Sequence, residues 1–174
     1  MTETPPPHDL GSVTPHIHPL DPYTFGPTQL CFGCGPHNPT GLRLKFERRG
    51  DLICSRFTLG PGYDGPPGLL HGGLQALIAD EVAGWTLVGL RGRIGVTTSL
   101  QVRYIQGIRL GQEAIAEGKL ASEGEGISTV QVTLRQGDVV GSMSRISFAL
   151  ADVAKMTALL PGGMPNGWAK FFGG

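Results

Sequence analysis

Apolar and polar positions alternate in short runs on either side of one long stretch that keeps helical spacing. Leu42-Arg43-Leu44-Lys45-Phe46 alternates as a half-buried strand should, and a second run, Leu52–Phe57, follows the hairpin signal Gly50-Asp51. Residues 60–69 are rich in Gly and Pro and predict a loop. From about Leu70 to Leu90 the spacing becomes helical. Leu74, Leu77, Ile78, Trp85 and Val88 fall on one broad apolar face. Gly73, Ala76, Asp80, Ala83, Gly84 and Leu87 form an adjacent stripe of mostly small side chains, which lets a backbone or a ligand come close. Asp80 lies on that stripe, and Glu81 falls nearer the middle of the apolar face. The period then returns to two over Thr97–Tyr104, Glu113–Ser122, Ile127–Leu134 and Val139–Leu150. Gly107, Gly111, Gly124, Gly126 and Gly137 mark gaps too short for a crossover, so these strands are expected to pair antiparallel. Residues 152–174 begin helix-like and end in Gly/Pro punctuation, with Trp168, Phe171 and Phe172 placed to dock on the core or on a neighbour.

Two strands, one long helix and four strands make an α+β fold, an antiparallel sheet wrapped on a single central helix. Such a sheet has exposed edges, and pairing the sheets of two subunits would remove one of them. The folded domain is expected over residues 29–151. Before it, residues 1–28 hold seven of the 14 prolines together with His8, His16 and His18, and predict an extended arm with little structure of its own. Residues 152–174 form a C-terminal extension.

Composition narrows the classes. The 174 residues carry 14 basic and 14 acidic side chains, so no positive excess exists to displace counterions from nucleic acid. Charged residues make up 16%, against a usual ~25%, which fits a surface partly hidden between copies of the chain. No apolar run approaches the ~20 residues of a membrane helix. The first residues lack the basic-then-apolar pattern of an export signal, so a cytoplasmic protein is expected. Three cysteines, an odd number, fit a reducing compartment.

The chemistry concentrates at the helix start. Gly65-Pro-Pro-Gly-Leu-Leu-His71-Gly72-Gly73 opens the helix, where unpaired backbone N–H groups and partial positive charge collect. Gly72 and Gly73 can therefore hold an oxyanion, or serve only as the turn into the helix. Asp is disfavoured in helix interiors, so Asp80 asks for a reason. Gly73 and Asp80 share a face but lie about 10 Å apart along the axis, too far for one carbonyl to meet both. If both act on one substrate, a second copy of the helix, antiparallel to the first, must supply one of them. Glu81 is the rival carboxylate. Thr97 could orient a water or the carboxylate, or be simply a good strand residue. Cys31-Phe32-Gly33-Cys34 with His37 has metal-like spacing. No second Cys pair completes four ligands, so a tight turn with buried thiols and no metal is expected. Asn38-Pro39-Thr40-Gly41 is a turn into the first strand. Arg91 and Arg93, just past the helix, could meet phosphates or only solvate the surface. Nucleophile-elbow, phosphate-loop, dinucleotide-binding and zinc-protease motifs are absent from the sequence.

Taken in order, Cys31-Phe-Gly-Cys-Gly-Pro-His-Asn-Pro-Thr-Gly-Leu42, the Gly65–Gly73 segment, Asp80 and Thr97–Tyr104 resemble the hotdog-fold acyl-CoA thioesterases over roughly residues 29–150. The phenylacetate-degradation and hydroxybenzoyl-CoA thioesterase branch is the nearest. The resemblance implies hydrolysis of an acyl-CoA thioester by a homodimer or a dimer of dimers. Coenzyme A would enter as part of the substrate, and no cofactor, nucleic acid or membrane partner is implied. It places the family carboxylate on Asp80 and the oxyanion-binding amide on Gly72 or Gly73. The water-positioning hydroxyl falls on Thr97, and His71 matches the family His. Some members contact the thioester carbonyl with an Asn or Gln just before the His-Gly-Gly motif. This chain has Asp64-Gly65-Pro66-Pro67 there, leaving Asp64 or Asn38 to make that contact. Two other readings share the fold: an acyl-CoA-binding domain without hydrolysis, and a hydratase or dehydratase built on His71.

Overall fold

The computed structural model describes residues 17–150, 152–165 and 167–172. Seven strands form one antiparallel sheet: β1 (Ile17–Pro19), β2 (Glu47–Arg49), β3 (Leu52–Phe57), β4 (Gly95–Tyr104), β5 (Ala114–Gly124), β6 (Ile127–Gln136) and β7 (Val139–Leu150). Their spatial order is β1-β2-β3-β5-β6-β7-β4. The long helix α1 (Gly72–Arg91) joins β3 to β4 and carries the chain across the sheet, so β4 becomes its far edge. A short helix α2 (Val153–Leu159) and a 3-10 turn (Trp168–Phe171) follow the last strand. This is the hotdog arrangement, one helix wrapped by an antiparallel sheet.

Period-two patterning decided most of the sheet. In β7, Ser142, Ser144, Ile146 and Phe148 are buried while Met143 and Arg145 face out, so the strand alternates along its length. Residues 42–46 also alternate, with Leu44 and Phe46 buried and Arg43 and Lys45 exposed. They do not form the strand expected there, because their amides are taken by a loop. Leu42 N–H donates to the Phe32 carbonyl at 2.8 Å and Leu44 N–H to that of Gly33 at 2.9 Å. Only Glu47–Arg49 remains to pair with β3.

The buried side of α1 is rotated from the expected one. Gln75, Ile78, Ala79, Val82, Ala83, Trp85, Thr86 and Leu87 are buried, whereas Leu74, Leu77 and Val88 are only partly so. The cause is close packing on β5. A Cβ on Gly118 would overlap the Thr86 hydroxyl and come within 3.0 Å of Val82, so the helix rides over a strand position that has no side chain. Thr86 spends its hydroxyl on the Val82 carbonyl at 2.7 Å, which lets a polar residue sit at 0% exposure. Gly118→Val should therefore cost about 1–3 kcal/mol by overpacking. Denaturant unfolding monitored at Trp85 measures it, and a midpoint equal to wild type would contradict this packing.

Both ends of α1 are capped. His71 precedes it with φ −56° and ψ 133°, and its ring Nδ1 accepts from the Gly73 N–H. Gly92 closes it at φ 62°, its N–H reaching the Leu87 and Val88 carbonyls.

Of the arm expected over residues 1–28, residues 1–16, with His8 and His16, lie outside the described residues. The remainder is bound to the domain. His18 lies in β1, which pairs with β2, and Phe25 packs edge-on against Trp85 at 5.2 Å. The apolar residues of the arm outweighed its prolines. The C-terminal aromatics dock on the same place. Trp168 donates its indole N–H to the Phe25 carbonyl at 3.1 Å, and Phe171 is buried against Phe25. Among the described residues no helix is long and apolar enough to cross a membrane.

Candidate active site

Asp80 lies in the middle of α1, half-buried, on the rim of a cavity of about 240 Å³. Thr97 of β4 donates its hydroxyl to Asp80 Oδ1 at 2.8 Å. Phe25, Trp85, Val88, Phe148 and Trp168 supply apolar wall. Burial raises the Asp80 carboxyl above its ordinary range. The Thr97 hydrogen bond opposes this, and the charge of Cys31 adds to it. A bulge in β4 between Thr97 and Ser99 puts both Thr97 and Leu100 opposite inward residues of β7, Phe148 and Ile146. The sequence offered no sign of that bulge.

The first turn of α1 separates the two candidate amides. Gly73 N–H donates to His71 Nδ1 at 2.9 Å. Leu74 and Gln75 N–H groups both donate to the His71 carbonyl, at 3.0 and 3.1 Å. The Gly72 N–H remains outside these bonds, so of the two glycine amides it is the one whose hydrogen is not already engaged by His71. His71 acts here as the cap. Tyr104, at the end of β4, lies against Gly72 and donates its hydroxyl to the Gly72 carbonyl at 2.8 Å. The sequence assigns Tyr104 no role of its own, since it only ends the Thr97–Tyr104 strand.

Gly72 and Asp80 open on different concavities of one chain. Gly72 and Tyr104 line a groove with Pro66, Leu69, Gln75 and Gly107, whereas Asp80 and Thr97 line the 240 Å³ cavity. Eight residues of helix separate them, about 12 Å.

The remaining sequence candidates have other partners. Asp64 accepts from the Gly62 N–H at 3.0 Å and the Gly68 N–H at 2.9 Å, and these amides hold its carboxyl below the ordinary range. It shapes the loop before the helix, and as an ionised carboxylate it has no hydrogen to donate to a thioester carbonyl. Asp64→Ala should lower Tm. A depressed carboxyl stabilises the fold above its unfolded pKa and loses that effect as pH falls through its folded value. The Tm gap to wild type should thus be full at neutral pH and close in acid, and a gap independent of pH would exclude the charge as its cause. Asn38 is buried, donating to the Leu30 carbonyl at 3.0 Å and accepting from the Thr40 N–H and hydroxyl, each at 3.0 Å. It organises the Cys31 loop. Arg91 is clamped by Glu123, with Nη2 to Oε2 at 2.8 Å, and Arg93 follows just past the helix end. Arg91 stands about 29 Å along the helix from Gly72. A shallow groove of about 530 Å³ there, lined by Arg48, Arg91, Lys119 and Glu123, contains none of the expected catalytic residues.

Glu81 lines the same cavity. Its Oε1 lies 3.0 Å from Cys31 Sγ, and Cys34 completes a cluster whose ligand atoms are all within 4.8 Å of one another. Burial, ahead of the neighbouring thiol, raises the Glu81 carboxyl. The Cys34 thiol, by hydrogen bonding to Cys31, lowers that of Cys31 and is itself raised. His37 takes no part, since its ring tilts against Tyr23 at 5.8 Å.

Comparison with known proteins bears on the fold. Residues 67–142, from the loop before α1 into β7, match the family model of the thioesterase superfamily. A thioesterase superfamily protein of known structure is 29% identical, with TM-score 0.66, over 76% of this chain and 66% of its own. A Haemophilus influenzae thioesterase is 19% identical at TM-score 0.58, covering 63% of this chain and 79% of its own. A hypothetical thioesterase from Streptococcus pneumoniae, solved with coenzyme A, is 16% identical at TM-score 0.58, covering 62% of this chain and 88% of its own. No curated protein matches the chain.

Proposed function

We propose that this protein hydrolyses acyl-CoA thioesters at a site shared by two protomers. The observation that carries the reading is the Asp80–Thr97 pair, a carboxylate made more basic by burial and held by a hydroxyl at the mouth of an apolar cavity. The match of residues 67–142 to the thioesterase superfamily supports it, as does the coenzyme A in the Streptococcus pneumoniae structure.

The edge strand β4 supplies the argument for a second protomer. Val96, Leu100, Tyr104 and Ile105 are 39–53% exposed on it, an unprotected apolar edge. Antiparallel pairing of two β4 edges near Leu100–Gln101 would bring Thr97 of one copy opposite Tyr104 of the other. Asp80 would then approach the partner's Gly72. The thioester carbonyl oxygen would accept from the Gly72 N–H, and Asp80 would deliver the attacking oxygen, its own or that of a water it deprotonates. The tetrahedral intermediate then expels the thiolate of coenzyme A. Attack by water leaves the free acid directly, whereas attack by Asp80 leaves a mixed anhydride that a water then hydrolyses to the free acid and the regenerated carboxylate. Acyl chains would occupy the cavity lined by Phe25, Val88 and Trp168.

A panel of acyl-CoA thioesters, with released thiol trapped by a chromogenic disulfide, tests the activity. Turnover of at least one thioester supports it, and acyl-CoA binding without thiol release contradicts it. Thr97→Val should lower kcat about tenfold with KM unchanged, since a hydrogen bond to a charged group contributes roughly 1.5–3 kcal/mol. An unaltered kcat would remove Thr97 from the site. A hydratase built on His71 is not favoured, because its Nδ1 is engaged by the Gly73 amide.

A further inference from the structure

The cluster of Cys31, Cys34 and Glu81 is unused by this mechanism, yet its parts come from distant places. The thiols lie on a loop near the start of the domain, and the carboxylate lies on the inner side of α1. We propose that Cys31, Cys34 and Glu81 bind a zinc ion, which ties the Cys31–Gly35 turn to α1 beside Asp80.

Four observations support this. First, the donor set fits in kind and size. Two sulfurs and a carboxylate suit zinc, and tetrahedral coordination asks for sulfurs roughly 3.8 Å apart. The three ligand atoms here all lie within 4.8 Å of one another, so binding needs only small side-chain adjustments. Second, the backbone is shaped for the cluster. Gly35 N–H donates to the Cys31 carbonyl at 2.9 Å, and a Cβ at Gly35 would stand 2.6 Å from that oxygen. A Cβ at Gly33 would overlap the Glu81 side chain. The turn thus closes tightly on itself and lies directly against the carboxylate.

Third, charge is otherwise unbalanced. Asp80, Glu81, Cys31 and Cys34 line one cavity wall, and no Lys or Arg is among the residues lining that cavity. Acidic groups brought together without a cation must stay protonated or repel. A divalent cation relieves this, and its binding releases the two thiol protons to solvent. Fourth, outer partners are in place. Gln29 spans the turn, its Oε1 accepting from the Cys31 N–H at 3.0 Å and its Nε2 lying 4.0 Å from Cys34 Sγ. The Trp85 indole N–H is buried in the same cavity, makes no close hydrogen bond and acts on the Cys34 thiol. A zinc-bound thiolate is an acceptor for it.

Three protein ligands leave one tetrahedral position. All three residues line the cavity, so that position opens toward it, to be filled by water or by a donor atom of a cavity ligand. The ion would thus tie the turn to the helix segment that carries Asp80.

The test reads metal, not turnover, and so is independent of the proposed hydrolysis. The full chain is purified with zinc under reducing conditions, dialysed without chelator and analysed by mass spectrometry for metal. Cobalt(II) is then substituted, and its thiolate charge-transfer absorption is recorded. One zinc per chain is expected in wild type and in Cys54→Ser, with the cobalt band present in both. Cys31→Ser/Cys34→Ser should lose the metal and the band while circular dichroism confirms its fold. Should that variant unfold, the cobalt spectrum of the wild type decides alone. Wild type that holds no zinc, or zinc content unchanged in the double variant, or cobalt bound without a thiolate band, would overturn the proposal.

Discussion

Asp80→Asn is expected to fold, assemble and bind acyl-CoA as wild type does, and to lose kcat by on the order of 10³-fold, the range in which positioned acid–base groups act. The expectation rests on geometry. Asn is isosteric with Asp and can still accept the Thr97 hydroxyl bond of 2.8 Å, so neither helix nor cavity loses packing. What disappears is the negative oxygen that attacks or deprotonates. Asp80 also bears a burial cost that a surface position would spare it, since it stands half-buried beside a second acid, Glu81. Steady-state thiol release, with a binding measurement on the same preparation, checks the outcome. Turnover within a few-fold of wild type would assign the chemistry elsewhere.

Gly72→Pro is expected to be nearly as damaging for the opposite reason: it leaves every side chain in place and removes one backbone hydrogen. Proline is well tolerated at the first helical position, where the N–H has no helical partner. The preceding residue must be extended, and His71 already is, at φ −56° and ψ 133°. The added ring meets Tyr104 at 3.3 Å, a contact that a small shift of the phenol relieves. The helix and the His71 cap on Gly73 should persist, while the oxyanion loses its donor. Removal of one such donor typically costs about 2.7–4 kcal/mol of transition-state stabilisation, a loss of roughly 10²–10³ in kcat. Gly73→Ala keeps the N–H and makes the comparison, and should retain far more activity. Equal losses in the two variants would mean that the damage is steric and that Gly72 is not the donor.

These expectations could be framed in large part from the sequence, and the reasons differ by element. The strands from β5 to β7 were legible because their apolar residues keep a period near two and glycine breaks each gap. The helix was legible because helical spacing persists for 20 residues between a Gly-rich start and the Gly92 stop. Its buried face was misjudged because the strongest apolar residues, Leu74 and Leu77, do not face the sheet. The sheet is met by Ala79, Val82 and Thr86, which pack over Gly118, a long-range fit that no local pattern encodes. The first strand was expected at residues 42–46, just before the β2 that forms, because alternation reports burial and not the partner of the backbone, and the Cys31 loop took the amides of Leu42 and Leu44.

At the site, Asp80, Thr97 and the helix start could be picked out, since an acid in a helix and glycines at a cap violate local preference. Asp64 and Asn38 broke the same preference for a structural purpose. Both have side-chain oxygens that bond nearby amides, a use that sequence cannot separate from ligand binding. Tyr104 was invisible as a site residue because its only signal is position, seven residues along β4 from Thr97.

The claim that one protomer's Gly72 serves the other's Asp80 has a direct test in hybrid dimers. Co-expressed Asp80→Asn and Gly72→Pro chains, each inactive alone, should recover about a quarter of wild-type turnover, because half of the randomly assorted dimers regain one intact site. Activity no higher than that of the two parent variants, in a preparation shown to contain hybrids, would contradict a shared site.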